Sequence, residues 1–302
     1  MGAHERLSNF TATLVFAGGG AVARYLSLLV LVIVMVAGVR MSSAAEAEST
    51  LRLYVFDCGV IRLETVELFS IADEETDVRD LSVPCYVVEH EKGRLLWDGG
   101  LPSGYADVEG WQGQEGMQFR LDETFAKQIA GIGLSMSSFD YVVFSHMHFD
   151  HVGVANEVKG ANLIIQEPEY EAAFNGGPGA DAFDTTLFDS LADAERTIIS
   201  GDHDVFGDGR VKIISAPGHT PGHQVLWIDL QNTGPIVLSG DLYHFAFSRR
   251  ERRVPGFNFD RDMTLHSMDR VEGLIKETGA TLWIEHELAR FEQLQKAPAY
   301  YD

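Results

Sequence analysis

The chain has 302 residues, 45% hydrophobic and 10% aromatic, enough apolar mass for one sizeable core, and no break in composition marks a second one. Acidic residues outnumber basic ones 45 to 23, a formal charge of -22. That balance excludes nucleic acid as a partner, because phosphate binding needs clustered Lys and Arg to displace counterions.

The first 45 residues read as a targeting segment. Arg6 and Arg24 precede an uncharged apolar run over residues 25–39, and small residues at Ala45 and Ala47 offer cleavage sites. The run is shorter than the ~20 residues of a spanning helix, so a cleaved signal peptide is expected over an uncleaved anchor. Either puts the protein outside the cytoplasm, periplasmic or secreted, and cleavage would leave no stable membrane insertion. Residues 46–302 then form a single domain.

Strand-like runs open that domain at residues 51–56, 84–89 and 94–98. Cys58 and Cys85 lie in such apolar runs. Two cysteines make no disulfide framework, so buried thiols are expected, with a bridge as the alternative in an oxidising compartment. The third run ends in Trp97-Asp98-Gly99-Gly100, an Asp-Gly turn. A Gly-rich loop with Trp111, Met117 and Phe119 follows, then a helix over residues 123–129.

Residues 139–144 read as a buried strand that opens at Ser145 into His146-Met147-His148-Phe149-Asp150-His151. Neighbours on an extended chain point to opposite sides and a turn fans them apart, so these four ligand side chains serve separate centres. Two metal ions are the natural reading. Beyond a strand at residues 162–166 and a surface loop at 175–179, strands at 211–215, 224–229 and 236–239 bring in His219 and Asp241. The basic run at residues 249–253 reads as a solvated loop that neutralises part of an acidic surface. A long helix at 260–278 and a last strand at 281–285 lead to His286. His223 is assigned to turn hydrogen bonding, while His90, His203 and His266 have no assignment.

His-x-His-x-Asp-His, then Gly218-His219-Thr220-Pro221-Gly222-His223, then Gly240-Asp241 after an apolar strand, then His286 at a strand end, resembles the metallo-β-lactamase superfamily from Leu51 onward. Val83-Pro84-Cys85-Tyr86, residues 96–102 and Thr220-Pro221-Gly222-His223-Gln224 resemble its N-acyl-homoserine lactonases in particular. The resemblance implies an α/β fold, an αββα sandwich with the metals along the sheet edges. It also implies two zinc ions, or other divalent transition metals: one on His146, His148 and His219, the other on Asp150, His151 and His286, with Asp241 bridging. Asp98 would support a ligand imidazole from behind.

Neutral imidazoles suit zinc, and carboxylates offset the charge of two nearby dications. A bridging water would lose its proton near neutral pH and attack an ester-like carbonyl, with Asp150 the best-placed acid to return a proton to the leaving oxygen and water the alternative, since a metal-bound carboxylate is strongly acidic. Asp241 argues against the β-lactamases proper, and export and acidity argue against nucleases of this family. Thioesterases of the family carry a helical C-terminal extension, whereas sixteen residues follow His286 here. A lactone with an acyl chain lying along Phe149, Trp111, Met117 and Phe119 fits best; a catalytically silent metal-binding protein is the non-enzymatic alternative. One departure stands out. Lactonases of this type place Tyr three residues after the bridging Asp, but here the order is Asp241-Leu242-Tyr243-His244, so His244 is expected to face the metals and Tyr243 to take the role only if the turn rotates the backbone.

Overall fold

The computed structural model describes residues 50–114 and 116–302; the segment read as a signal peptide lies outside the described residues. Among them, no helix is long and apolar enough to cross a membrane.

Alternation of apolar side chains along the strands builds two sheets with a shared interior. In β1 (Leu51–Leu63), Leu51, Leu53 and Val55 face the space between the sheets, while Tyr54, Phe56 and Cys58 face the opposite side. The same period of two runs through β2 (Asp80–His90) and β3 (Gly93–Trp97), where Tyr86, Val88, Leu95 and Trp97 point inward and Cys85, Val87 and Leu96 outward. With β4 (Gln112–Gln114), β5 (Met117–Arg120), β6 (Tyr141–Val143), β7 (Asn162–Gln166) and β8 (Arg196–Ile199), they form an eight-stranded sheet of order β4-β5-β1-β2-β3-β6-β7-β8.

The second sheet has five strands: β9 (His203–Asp204), β10 (Val211–Ser215), β11 (Gln224–Leu230), β12 (Gly234–Leu238) and β13 (Thr281–Trp283). Leu226, Ile228, Ile236 and Leu238 meet Val143 and Ile164 across the interior, while Val225, Trp227 and Val237 face the other way. Burying both faces requires cover on each outer side. Helices α1 (Phe125–Ala130) and α2 (Glu167–Asn175) pack on the larger sheet, and residues of the long helix cover the smaller one. The result is the expected αββα sandwich.

Short helix α3 (Ala246–Glu251) precedes the long α4 (Arg261–Thr278), and α5 (Leu288–Phe291) closes the set. Asp260 caps α4 by accepting from the Met263 N–H at 2.7 Å, and Gly279, at φ 71°, ends it. Its buried Thr264, Ser267, Met268 and Val271 recur at helical spacing.

Four sequence expectations need correction. The basic run is helix through Glu251 rather than loop, and it is not merely solvated, since Arg249, Arg252 and Arg253 pair with Glu272, Asp269 and Glu75 at 2.7, 2.8 and 2.7 Å. The Gly-rich loop is the β4–β5 hairpin, paired onto β1 at Leu63–Met117. The last strand stops at Trp283, which leaves Glu285 and His286 in the turn beyond it. Finally, Cys58 and Cys85 are not free thiols but a disulfide. The β1–β2 register sets Phe56 opposite Cys85, so Cys58, two residues on, lies diagonal to Cys85 on the same face, with a Cα–Cα distance of 5.7 Å.

The bridge closes a loop spanning 27 positions of sequence. Replacing both cysteines by alanine should therefore lower the unfolding free energy by about 3 kcal/mol, from the entropy returned to the unfolded chain. Urea unfolding with an unchanged midpoint would show that the cross-link contributes nothing.

Candidate metal centre

Strand direction gathers the polar residues. β3, β6 and β7 run parallel to one another, as do β12 and β13, and chemistry-bearing turns follow their C-terminal ends. Asp98 follows β3, Ser145 to His151 follow β6, Asp241 follows β12 and His286 follows β13. His219 comes from the turn between β10 and β11.

Two groups of ligand atoms result. His146 Nε2, His148 Nδ1 and His219 Nε2 lie 2.8–3.1 Å apart. Donors at ~2.0 Å from one tetrahedral ion would lie roughly 3.3 Å apart, so the three rings are already gathered to suit one. Asp150 Oδ2 lies 3.8 Å from His151 Nε2 and 3.7 Å from His286 Nε2. Asp241 stands between the groups. Its Oδ2 is 3.2 Å from His219 Nε2, and its Oδ1 is 3.2 Å from His151 Nε2 and 2.9 Å from His286 Nε2.

The electrostatics favour cations. Burial, reinforced by the neighbouring rings, holds the His146 and His148 pKa values well below the ordinary imidazole range, so both rings are neutral with a lone pair free. Burial alone would raise the Asp241 carboxyl, but His286, His244, His151 and His146 hold it well below the usual carboxylate range. His151 Nε2 and Asp241 Oδ1 are buried without a hydrogen-bond partner. Orphaned atoms of opposite kind facing a common gap are the signature of ligands rather than of a polar network.

Three of the rings are held from behind. His151 Nδ1 sits 3.1 Å from Asp98 Oδ2, and the other oxygen of Asp98 accepts from the Ser145 N–H at 2.6 Å. His286 Nδ1–H donates to the Ser82 carbonyl at 2.7 Å. His219 Nδ1–H donates to Asn258 Oδ1 at 3.0 Å, and the Asn258 amide is itself oriented by Thr264 at 3.1 Å. These contacts leave Nε2 of each ring facing inward. His223, neutral because burial lowers its pKa to about 3, donates from Nδ1 to the Ala216 carbonyl and accepts the Asp241 N–H at Nε2, both at 2.9 Å. Gly240 packs so closely that a Cβ there would lie 2.7 Å from His223 Nε2 and from Ser145 Cβ. Asp241 is thus fixed through its own backbone.

His244 faces the centre, with Nε2 3.0 Å from Asp241 Oδ2 and its ring stacked on His286 at 5.6 Å. Tyr243 points the other way, donating its hydroxyl to Glu272 at 3.1 Å among the residues under α4. A cavity of about 360 Å³ opens onto Asp150, Asp241, His244 and His286. Met117 and Phe149 line it, and Phe119 packs behind Phe149 at 5.4 Å. Trp111 does not line it: its ring lies under Arg62 at 4.0 Å, on the far side of the hairpin edge. In its place come Ile61, Leu63, Phe69 and Phe257, residues with no local mark in the sequence because a bulge in β1 and a turn bring them there. Ser82, Asn258 and Glu169 were likewise invisible before the fold. His90 lies outside the centre, 2.9 Å from Asp208 and stacked on Phe206.

Two layered sheets with His and Asp side chains gathered at strand ends define a metal-binding α/β sandwich. A model of the metallo-β-lactamase superfamily matches residues 78–281, and the chain belongs to that superfamily, whose fold implies divalent-metal binding. It is 30% identical over 264 residues to the N-acyl homoserine lactonase AttM of Azorhizobium caulinodans, covering 83% of this chain and 99% of that one. The N-acyl homoserine lactonase AiiA of Bacillus thuringiensis subsp. kurstaki is 27% identical over 227 residues, covering 73% of this chain and 87% of AiiA. Among solved structures, an N-acyl homoserine lactone hydrolase with N-hexanoyl-L-homoserine bound at its catalytic metal centre superposes with a TM-score of 0.71 at 26% identity, over 82% of this chain and 98% of that one.

If Asp98 sets the His151 tautomer, Asp98→Asn should weaken divalent-metal affinity by about 10- to 100-fold. Competition against a chromophoric chelator measures this directly, and an affinity equal to that of the unsubstituted protein would rule the role out.

Proposed function

We propose that this protein is a metal-dependent hydrolase that opens the ring of N-acyl-homoserine lactones, a quorum-quenching activity, using two zinc ions or similar divalent transition metals. One observation carries the reading: Asp241 turns its two oxygens to two separate ligand groups at the floor of an apolar cavity. His146, His148 and His219 would hold one ion, Asp150, His151 and His286 the other, with Asp241 shared. Bound there, the ions supply Lewis acidity and a water acidified to near neutral pH.

The chain's own residues do the rest. Met117, Phe149, Ile61 and Leu63 exclude water and suit an acyl chain, and an uncharged lactone matches a cavity lined, among the described residues, by no Lys or Arg. Asp150 borders the cavity, where it can pass a proton to the ring oxygen as the ester bond breaks. His244 is kept neutral because burial lowers its pKa to about 4, against the pull of Asp241. A neutral imidazole retains one N–H, which lies 3.0 Å from Asp241 Oδ2; with that oxygen turned to an ion, the same N–H would be free to donate to the substrate oxygen on which charge develops. Tyr243 has its hydroxyl committed to Glu272 and takes no part. Export by the N-terminal segment belongs to the same proposal, and the mass of the protein recovered outside the cytoplasm tests it.

The purified protein should convert N-acyl-homoserine lactones to the ring-opened hydroxy acids, with penicillins and thioesters much poorer substrates. Background-level ring opening alongside turnover of a β-lactam or thioester would transfer the protein to another branch of its superfamily, and no turnover on the whole panel would make it a silent metal-binding protein. Asp241→Ala should cut turnover by orders of magnitude, since it removes the charge shared by both ions. His244→Ala should lower turnover by about ten- to a thousandfold with metal content intact, as for the loss of one transition-state donor. A silent His244→Ala with a damaging Tyr243→Phe would reverse their roles.

A further inference from the structure

Glu169 is a buried carboxylate that no part of the proposed chemistry uses. It stands in the first turn of α2 (Glu167–Asn175), 2% exposed. Oε1 accepts the Met147 N–H at 2.9 Å and Oε2 accepts the Gly222 N–H at 2.8 Å. The two donors sit on different loops, 75 positions apart by their numbers (222 − 147). Met147 lies between His146 and His148, and Gly222 lies three residues after His219.

One carboxylate therefore joins the backbones that carry all three rings of the first ligand group. Both bonds are charge-assisted and both end on main chain, so they fix loop against loop without the slack of a second side chain. The contact is also close. A Cβ on Gly222 would lie 2.5 Å from both the nitrogen and the Cβ of Glu169, so the start of the helix seats directly on the second loop. The other ligand group is held by different means, His151 by Asp98 and His286 by the Ser82 carbonyl.

We propose that Glu169 is a positioning residue that sets the gap between the His146–His148 loop and the His219 loop, and so governs how tightly that group, and not its neighbour, holds its ion. The inference rests on the reading of two ions per chain. Without the carboxylate, the Met147 and Gly222 N–H groups lose their acceptor and the loops can part. Convergence of the three nitrogens then has to be rebuilt each time the ion binds. His151 and His286 keep their own supports.

The test is zinc titration of the metal-free protein in competition with a chromophoric chelator, with the unsubstituted chain, Glu169→Ala, Glu169→Gln and Asp98→Asn in parallel. The unsubstituted protein should show two binding steps. Glu169→Ala should weaken one of them by about 10- to 100-fold, the step that Asp98→Asn leaves in place, and shift the other by no more than roughly twofold. Glu169→Gln should fall between, because its amide oxygen keeps one acceptor while its NH2 opposes the second N–H; it also carries the comparison should the alanine variant fail to fold. Equal weakening of both steps, or two unchanged steps with a drop in metal-free stability alone, would make Glu169 a structural residue and overturn the inference. A single step in the unsubstituted protein would instead overturn the two-ion reading, and the inference with it.

Discussion

The whole site depends on one buried carboxylate, Asp241, and on the imidazoles around it. A carboxylate at 4% exposure is expensive unless it is paired, and here the pairing comes from rings on four different segments. Its oxygens diverge, one toward His219 and the other toward His151 and His286. That divergence partitions the ligands into two groups. Every nearby feature serves to keep the carboxylate in that attitude: the left-handed Gly240 before it, the His223 acceptor for its N–H, and the parallel pairing of β12 with β13 that brings His286 alongside.

The partition works because several rings have their outer nitrogen already engaged. A histidine whose two nitrogens both found protein partners would be a poor ligand. In this protein Asp98, Asn258 and the Ser82 carbonyl take up one nitrogen of His151, His219 and His286, which leaves the other facing the gap. Burial supplies the second half of the effect by keeping His146 and His148 neutral. Tautomer control thus acts on His151, His219 and His286 and desolvation on His146 and His148, while Asp241 draws the His151 and His286 pKa values upward against their burial.

The turn after Asp241 presents two faces. Strand-like alternation sends His244 into the cavity and Tyr243 toward Glu272, so one residue meets the centre while its neighbour helps seat α4 through the Arg249–Glu272 pair. The apolar wall comes from elsewhere, chiefly the end of β1 and the β5 edge, where Leu63 and Met117 are cross-strand partners. The larger sheet thus supplies both this wall and the His146–His151 turn, while His219, Asp241, His244 and His286 come from turns of the smaller one.

Local pattern was enough for much of this. The strand runs at residues 162–166 and 211–215 coincide with β7 and β10, since short apolar stretches bounded by turns carry their own signal. The His and Asp side chains that gather at the strand ends are those the sequence sets out in residues 146–151 and at His219, Asp241 and His286, since they stand in short turns right after apolar runs. Contacts between distant segments were not legible. The Cys58–Cys85 bridge depends on the β1–β2 register, the absence of Trp111 from the cavity on a hairpin that turns its ring toward Arg62, and the roles of Ser82, Asn258 and Glu169 on loops that meet only in the folded chain. Residue identity and period belong to the sequence by itself; which backbone amide, carbonyl or ring each residue meets was decided by tertiary packing, since that choice rests on register and on approach between segments far apart in the chain.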